Sequence, residues 1–272
     1  MDNLSMLVAM AAMLLAVGAF SGVLAGLLGV GGGIILVPAF FHVFSTLGHD
    51  GPQLMQLCLG TSLATIIVTS VRSVLAHHRK GAVEWDILKT WAPGIVIGAG
   101  LGVLTAAALR SEVLQVIFAG LAFAIGIYIT FGRADWRLGV QMPRGGVRAT
   151  VAPVIGFLSV LLGIGGGSFG VPLMTLYNVP IHRAVATAAG FGVTIAVPSV
   201  IGFMLISVEN APPFSIGAVN LVAFGLVIAM TLITAPWGAA LAHRLDPKPL
   251  KRIFGVFLIV VALNMLRKVL GY

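Results

Sequence analysis

Apolar residues run in long blocks along this chain, separated by short polar or charged stretches. The blocks cover 4–28, 34–47, 55–76, 91–109, 113–131, 149–162, 168–178, 184–206, 216–241 and 252–266. Many approach or exceed the roughly 20 residues that a helix needs to cross a hydrocarbon core of about 30 Å. Two, at 34–47 and 168–178, are distinctly short. Only helices and closed barrels satisfy their backbone polar groups in lipid, and blocks of this length are helical. The pattern therefore predicts an all-α fold, a polytopic transmembrane helix bundle with no soluble domain attached. Composition agrees: 59% of residues are hydrophobic and 9% are charged, against about 25% charged in soluble domains. Residues 1–16 lack the positive flank of a signal peptide and read as part of a membrane segment. The single cysteine, Cys58, lies within a span and has no partner for an intrachain disulfide.

The formal net charge of +8 suggests nucleic acid in a soluble protein, but no basic–aromatic interleaving accompanies it. The positive-inside rule accounts for it instead. Arg79, Lys80 and Lys89 share one loop, Arg133, Arg137, Arg144 and Arg148 a second, and Arg244, Lys248, Lys251 and Arg252 a third. These loops are expected to be cytoplasmic, and the poor ones near 110–112 and 208–215 to face outward. Segment 184–206 must then run outward from His182 and Arg183. The chain leaves the cytoplasm at 149 and is back by 182, so 149–181 goes in and returns. Its arms of 14 and 11 residues make about 21 and 16 Å of helix, too short to cross alone. A hairpin is expected, with its tip at 163–168.

That tip occurs twice. Leu27-Leu28-Gly29-Val30-Gly31-Gly32-Gly33 precedes Val37-Pro38, and Leu161-Leu162-Gly163-Ile164-Gly165-Gly166-Gly167 precedes Val171-Pro172, at an offset of 134 residues. Leu109, Leu114, Ile117 and Phe118 pair with Leu245, Leu250, Ile253 and Phe254 at an offset of 136, and Thr61 more weakly with Thr187. Two repeats are predicted: 1–131, with a hairpin at 4–47 plus three spans, and 149–272, with a hairpin at 149–181 plus three spans. A cytoplasmic linker, 132–148, joins them. An odd number of crossings inverts the second repeat relative to the first, the architecture of many secondary transporters, and places both termini outside. Segment 4–28 is the exception to watch, since it is long enough to span alone.

Each glycine costs a helix about 1 kcal/mol relative to alanine, so three together mark a break. The half-helix that follows presents free N–H groups and a positive dipole end, which suit an anion. Close helix packing is the alternative use of such glycines. Gly165, Gly167 and Gly170 also fit G-x-G-x-x-G, but no strand–helix unit surrounds them, so no nucleotide site is read there.

The paired G-x-GGG-x₃-VP stretches resemble those of the TauE/SafE family of sulfite and organosulfonate exporters. So do Leu59-Gly60-Thr61-Ser62-Leu63-Ala64 and Val179-Pro180-Ile181-His182-Arg183-Ala184-Val185-Ala186-Thr187. The resemblance covers essentially the whole chain. It implies a transporter in the inner membrane that exports a small sulfur oxyanion or sulfonate, sulfite by default. Thiosulfate and other organic anions are further substrates that it admits. Where the first repeat has Thr61-Ser62-Leu63, the second has Thr187-Ala188-Ala189, so a hydroxyl is missing.

The expected substrate-binding residues are Gly31, Gly32, Gly33, Gly165, Gly166, Gly167, Ser168, Thr61, Ser62 and Thr187. Ser168 is expected to cap the second half-helix. The hydroxyls either serve the anion or bond back to their own helices. Arg72 is the one strongly basic residue within a span. With His42, His182 and Arg183 at the hairpin bases, it is a candidate for gating or charge. Trp91, Trp136 and Trp237 sit where an interfacial belt would put them.

Asp50, Glu84, Asp86, Glu112, Asp135, Glu209 and Asp246 all fall in predicted loops, which argues against a carboxylate proton relay or Na⁺ site. No P-loop is present, so the chain is not itself an ATPase. No cofactor, metal or enzymatic activity is expected. The expected partners are the small anionic substrate and the lipid bilayer, with no nucleic acid and with a homodimer left open. An anion channel, or an importer of thiosulfate or a related oxyanion, is the rival function.

Overall fold

A computed structural model describes residues 3–28, 32–132, 136–242 and 247–269. These contain α1 (Asn3–Leu28), α2 (Gly33–Thr46), α3 (Leu54–Arg79), α4 (Trp85–Ala108), α5 (Ser111–Phe131), α6 (Gly145–Leu161), α7 (Gly167–Leu176), α8 (Ile181–Met204), β1 (Ser215–Ile216), β2 (Val219–Asn220), α9 (Leu221–Ala242) and α10 (Pro247–Val269). Six helices, α1, α3, α4, α5, α8 and α9, are long and apolar enough to cross a membrane. The chain is a polytopic helical membrane protein.

α1 is one unbroken helix of 26 residues, about 39 Å long. It exceeds the core thickness and differs from α6, which has 17 residues and spans about 26 Å. The two first arms are thus unequal. The short helices α2 and α7 have 14 and 10 residues.

Several sequence boundaries shift, among them the start of α10 at Pro247 rather than 252. α6 starts at Gly145 rather than 149, with Gly145 itself at φ +58° and Pro153 well inside the helix. α4 starts at Trp85 instead of 91, which moves Lys89 from the loop onto the helix. Trp91 then lies nearly two turns in and is 1% exposed. It belongs to the core and not to an interfacial belt, whereas Trp136 and Trp237, at 52% and 65%, are exposed. The apolar run predicted as helix from 216 begins instead with a β-ribbon, Ser215 opposite Asn220 and Ile216 opposite Val219. α9 starts only at Leu221, where the Asn220 side-chain oxygen accepts the Ala223 amide at 2.8 Å, a standard N-cap bond. α3 runs on to Arg79, so Arg72 lies about two turns from the helix end, not one.

The packing repeats itself between halves. α1 packs on α9, and α6 on α4. α2 packs on α3, and α7 on α8. α3 touches α9, and α8 touches α4; α3 meets α8 and α5 meets α10. Exchanging α1 through α5 with α6 through α10 maps the first six pairs onto one another and the α3–α8 and α5–α10 pairs onto themselves, as a pseudo-two-fold axis would.

Glycines let these pairs approach to backbone contact. On α4 and α6, a methyl group on Gly98 would collide with the Pro153 carbonyl, and one on Gly156 with the Ile95 carbonyl. On α1 and α9, a methyl group on Gly22 would collide with the Thr234 hydroxyl, and one on Gly238 with the Val23 carbonyl. Gly22 and Gly156 are 134 residues apart, and Gly102, against Val160, stands 136 before Gly238. These are the offsets of the sequence repeat, so equivalent glycines seam both halves. The hydrophobic effect is weak between helices in lipid, and close packing of small residues substitutes for it.

Candidate functional site

The second glycine stretch breaks the helix by a defined device. α6 ends with Gly163 at φ +58°. The Gly163 amide bonds the Val160 carbonyl at 2.9 Å, and the Ile164 amide bonds that of Ser159 at 2.9 Å. This is the paired closure of a helix C-terminus that needs a left-handed residue, which glycine adopts freely. α7 then begins at Gly167 with Gly166 as its cap residue and no side-chain cap bond. Ser168 is the second residue of α7, not the cap, because the chain winds into the helix two residues earlier than a serine cap requires. Its hydroxyl is buried, with the residue 9% exposed, and has no hydrogen-bond partner.

In the first stretch Gly29, Val30 and Gly31 lie outside the described residues. Gly32 follows at φ +65°, with the Ser21 hydroxyl donating to its carbonyl at 3.3 Å, and α2 starts at Gly33.

The two breaks meet. A methyl group on Gly33 would lie 2.7 Å from the Gly163 oxygen and 3.2 Å from the Ile164 Cα. Residues four apart on α3 line this junction in order. The Ser62 hydroxyl donates to the Gly163 carbonyl at 2.8 Å and lies 3.3 Å from that of Gly33. Ile66 comes next: its methyl groups stand 2.8 and 3.1 Å from where a Cβ on Gly33 and on Gly165 would be. Ser70 comes last, its hydroxyl 3.9 Å from the corresponding position on Gly165 and in contact range of Gly192. Ser62 and Ser70 are the ninth and seventeenth of the 26 residues of α3, so the junction sits at the middle of a spanning helix.

Around it the backbone is packed against neighbours. Gly166 abuts the Ala188 carbonyl at 2.6 Å and the Gly192 amide at 2.9 Å, measured from an added Cβ. Ala188 is the residue that stands in the second repeat where Ser62 stands in the first. The amides of Gly165, Gly166, Gly167 and Ser168 find no backbone acceptor among the described residues. Free N–H groups of this kind, with the dipole behind them, attract negative charge. None of the glycine or serine groups at the junction carries a formal charge of its own.

The other candidates lie elsewhere. Thr61 is fully buried, and its oxygen accepts the Asn220 amide at 3.0 Å, at the start of α9. Thr187 is equally buried, and its oxygen accepts the Glu84 amide at 2.9 Å, at the start of α4. Asn220 and Glu84 are 136 residues apart, so the two threonines make the same tie in the two halves. Arg183 pairs with the Glu84 carboxylate, one turn from Thr187. Arg72 is exposed. His182 is exposed and within electrostatic reach of His77. His42 lines a separate cavity of about 230 Å³ between α2 and α10, with Pro38, Phe257 and Asn264 among its walls. Among the described residues no group of His, Cys, Asp or Glu is placed to hold a metal ion.

Sequence reasoning missed Ser70, Ser21 and the Glu84 tie. Ser70 was accessible in principle, since Ser62, Ile66 and Ser70 follow a four-residue helical spacing. The other two depend on contacts between distant segments. If Thr61 and Thr187 serve the fold through these ties, replacing Thr61 by valine leaves the buried Asn220 amide unpaired, and replacing Thr187 leaves the part-buried Glu84 amide so. Each change is expected to cost about 1–3 kcal/mol while substrate affinity holds. Thermal unfolding in detergent, read beside a binding titration, separates the two effects.

The chain matches the family described as Sulfite exporter TauE/SafE over residues 14–265. A probable membrane transporter protein of Haemophilus influenzae is 32% identical over 258 residues, covering 93% of this chain and 97% of the relative. Another, of Methanocaldococcus jannaschii, is 26% identical over 256 residues, covering 93% and 94%. YunE of Bacillus subtilis, also a probable membrane transporter protein, is 26% identical over 278 residues, covering 93% and 96%. No solved structure matches the chain. With its six candidate spans and near-complete coverage of these relatives, this chain belongs to the TauE/SafE family of membrane transporters and is not an enzyme.

Proposed function

We propose that the protein exports a small oxyanion, sulfite or an organosulfonate, by alternating access through a site at the junction of the two glycine breaks. The observation that carries this reading is the start of α7: four amides without backbone acceptors, beside a buried serine hydroxyl without a partner. Such groups replace the hydration of an anion without a fixed counter-charge. The family description supports the sulfur chemistry.

In this reading the glycines of both breaks and Ser168 contact the substrate, and Ser62 ties the breaks together because its one proton is already given to Gly163. The repeats 1–131 and 149–272 are inverted, they rock about the α3–α8 contact, and both termini face outward from the inner membrane. Arg183 and His182 act at the cytoplasmic rim.

A monoanion leaving a negative interior gains about 2.3 kcal/mol per 100 mV, so export needs no coupling ion. Reconstituted vesicles loaded with sulfite or methanesulfonate test this. Saturable efflux that speeds up with interior-negative potential is expected. Efflux indifferent to the sign of the potential contradicts it, and large unsaturating single-channel currents assign the junction to a channel. Ser168→Ala serves as a second check. It removes an unbonded buried hydroxyl, so stability should hold or rise by up to about 1 kcal/mol, while apparent substrate affinity falls.

A further inference from the structure

We infer that Ser70 is a substrate ligand at the junction, and that the α3 face carrying Ser70, Ser73 and His77 walls the route from that site to one side of the membrane for a monoanionic, multi-oxygen substrate. This deepens the transport reading above and rests on it.

Hydroxyls on membrane helices commonly bond back to their own backbone. Thr65 and Thr69, on the same helix, do so to Ser62, Thr65 and Ile66 carbonyls. Ser70 does not: its hydroxyl has no hydrogen bond with any described residue. Nor is it sealed like the Ser159 and Ser168 hydroxyls, since the residue is only half-buried. Half-buried beside Gly165 and Gly192, the Ser70 hydroxyl keeps its proton available to a ligand. Ser168, three residues past Gly165, supplies an independent observation: its buried hydroxyl has no partner.

Burial along α3 changes at this point. Residues 54–66 are all buried, whereas 67–79 are half-buried or exposed. Ser73 and His77 continue the Ser70 face at spacings of three and four, and both are half-buried. On α8 the residues 185, 189 and 193 form a matching half-buried line that starts at exposed His182. At the mouth stand His77, His182 and Lys80, which interact electrostatically, with exposed Arg79 beside them. Of the carboxylates in this neighbourhood, Glu84 is engaged by Arg183, and Asp86 is exposed on the first turn of α4. Such a mouth draws anions in.

The charge of the substrate follows from what the site lacks. The α7 start offers roughly half a positive charge, the α2 start lies against the Gly163 carbonyl, and no Lys or Arg is among the described groups named at the junction. A partial charge of this size suits one negative charge better than two. The site therefore takes hydrogensulfite or a sulfonate in preference to sulfate.

Native Cys58 is buried, so Ser70→Cys reports alone. A small, membrane-impermeant, sulfonate-bearing thiol reagent should label it only from the side of Arg79 and Lys80. Methanesulfonate should slow that labelling, and sulfate at the same concentration should not. In vesicles, Ser70→Ala should raise the KM for methanesulfonate about tenfold, the scale of one hydrogen bond to a charged group. If wild-type flux of methanesulfonate saturates but Ser70→Cys is unlabelled or unprotected and Ser70→Ala keeps its KM, the Ser70 assignment is overturned while the transport reading stands. If the wild type carries no oxyanion at all, both fall.

Discussion

Gly33→Ala should reduce transport by about a hundredfold without preventing the protein from folding. The added methyl group meets the Gly163 oxygen at 2.7 Å and the Ile164 Cα at 3.2 Å. Neither is the movable end of a side chain, so one break must withdraw from the other. The displacement is a fraction of an ångström at the centre of the site, and misplacements of that order can cost about a hundredfold in a built site. Global stability should drop far less, because the α1–α9, α4–α6 and α5–α10 seams are untouched. Initial rates of methanesulfonate flux in vesicles, normalised to protein that elutes as a single species, provide the check. Ile66→Ala supplies the counterpart: it removes the side chain that stands between Gly33 and Gly165, and should restore part of the lost flux in the double variant.

Gly98→Ala should do the reverse, destabilising the bundle instead of blocking the site. Its Cβ would collide with the carbonyl group and Cα of Pro153, so α4 and α6 must part along their length. Overpacking of this kind costs about 1–3 kcal/mol and sometimes more, equivalent to a melting point lower by about 3–10 °C for a chain of this size. Gly238→Ala, which meets the Val23 backbone across α1 and α9, should fall by a similar amount, since it serves the equivalent seam. Gly225→Ala, where nothing stands within 4 Å, should be neutral or slightly stabilising, because alanine is the better helix former. Melting curves of the detergent-solubilised variants will order the three. A Gly98→Ala protein that melts with the wild type removes the seam argument.

The sequence reveals the helical membrane fold because bilayer thickness imposes its length on apolar runs, and charge cannot hide inside them. It shows a repeated motif because the same run of glycines recurs, at 29 and 31–33 and again at 163 and 165–167. Contacts made between distant segments are less legible. Thr61 and Ser62 are adjacent and chemically alike, yet one hydroxyl ends at Asn220 and the other at Gly163. A helix turns about 100° per residue, and only packing decides which face meets which neighbour. Trp91 belongs to the core for a related reason, since a tryptophan marks a span end only if the helix starts there, and α4 starts at Trp85. The ribbon at 215–220 is apolar enough to pass for helix until Gly217, at φ +53°, is seen to turn it. Ser168 looked like a cap because serine favours that position, but its hydroxyl makes no cap bond, and that failure of a local preference is what marks the site.

Selenite shares the shape and charge of sulfite and scatters anomalously, so its position in a crystal tests the central claim directly. The account predicts one strong anomalous peak beside Gly33 and Gly165, within hydrogen-bonding reach of the α7 amides. A peak far from both glycine breaks, or none in crystals of protein that transports selenite, would contradict it.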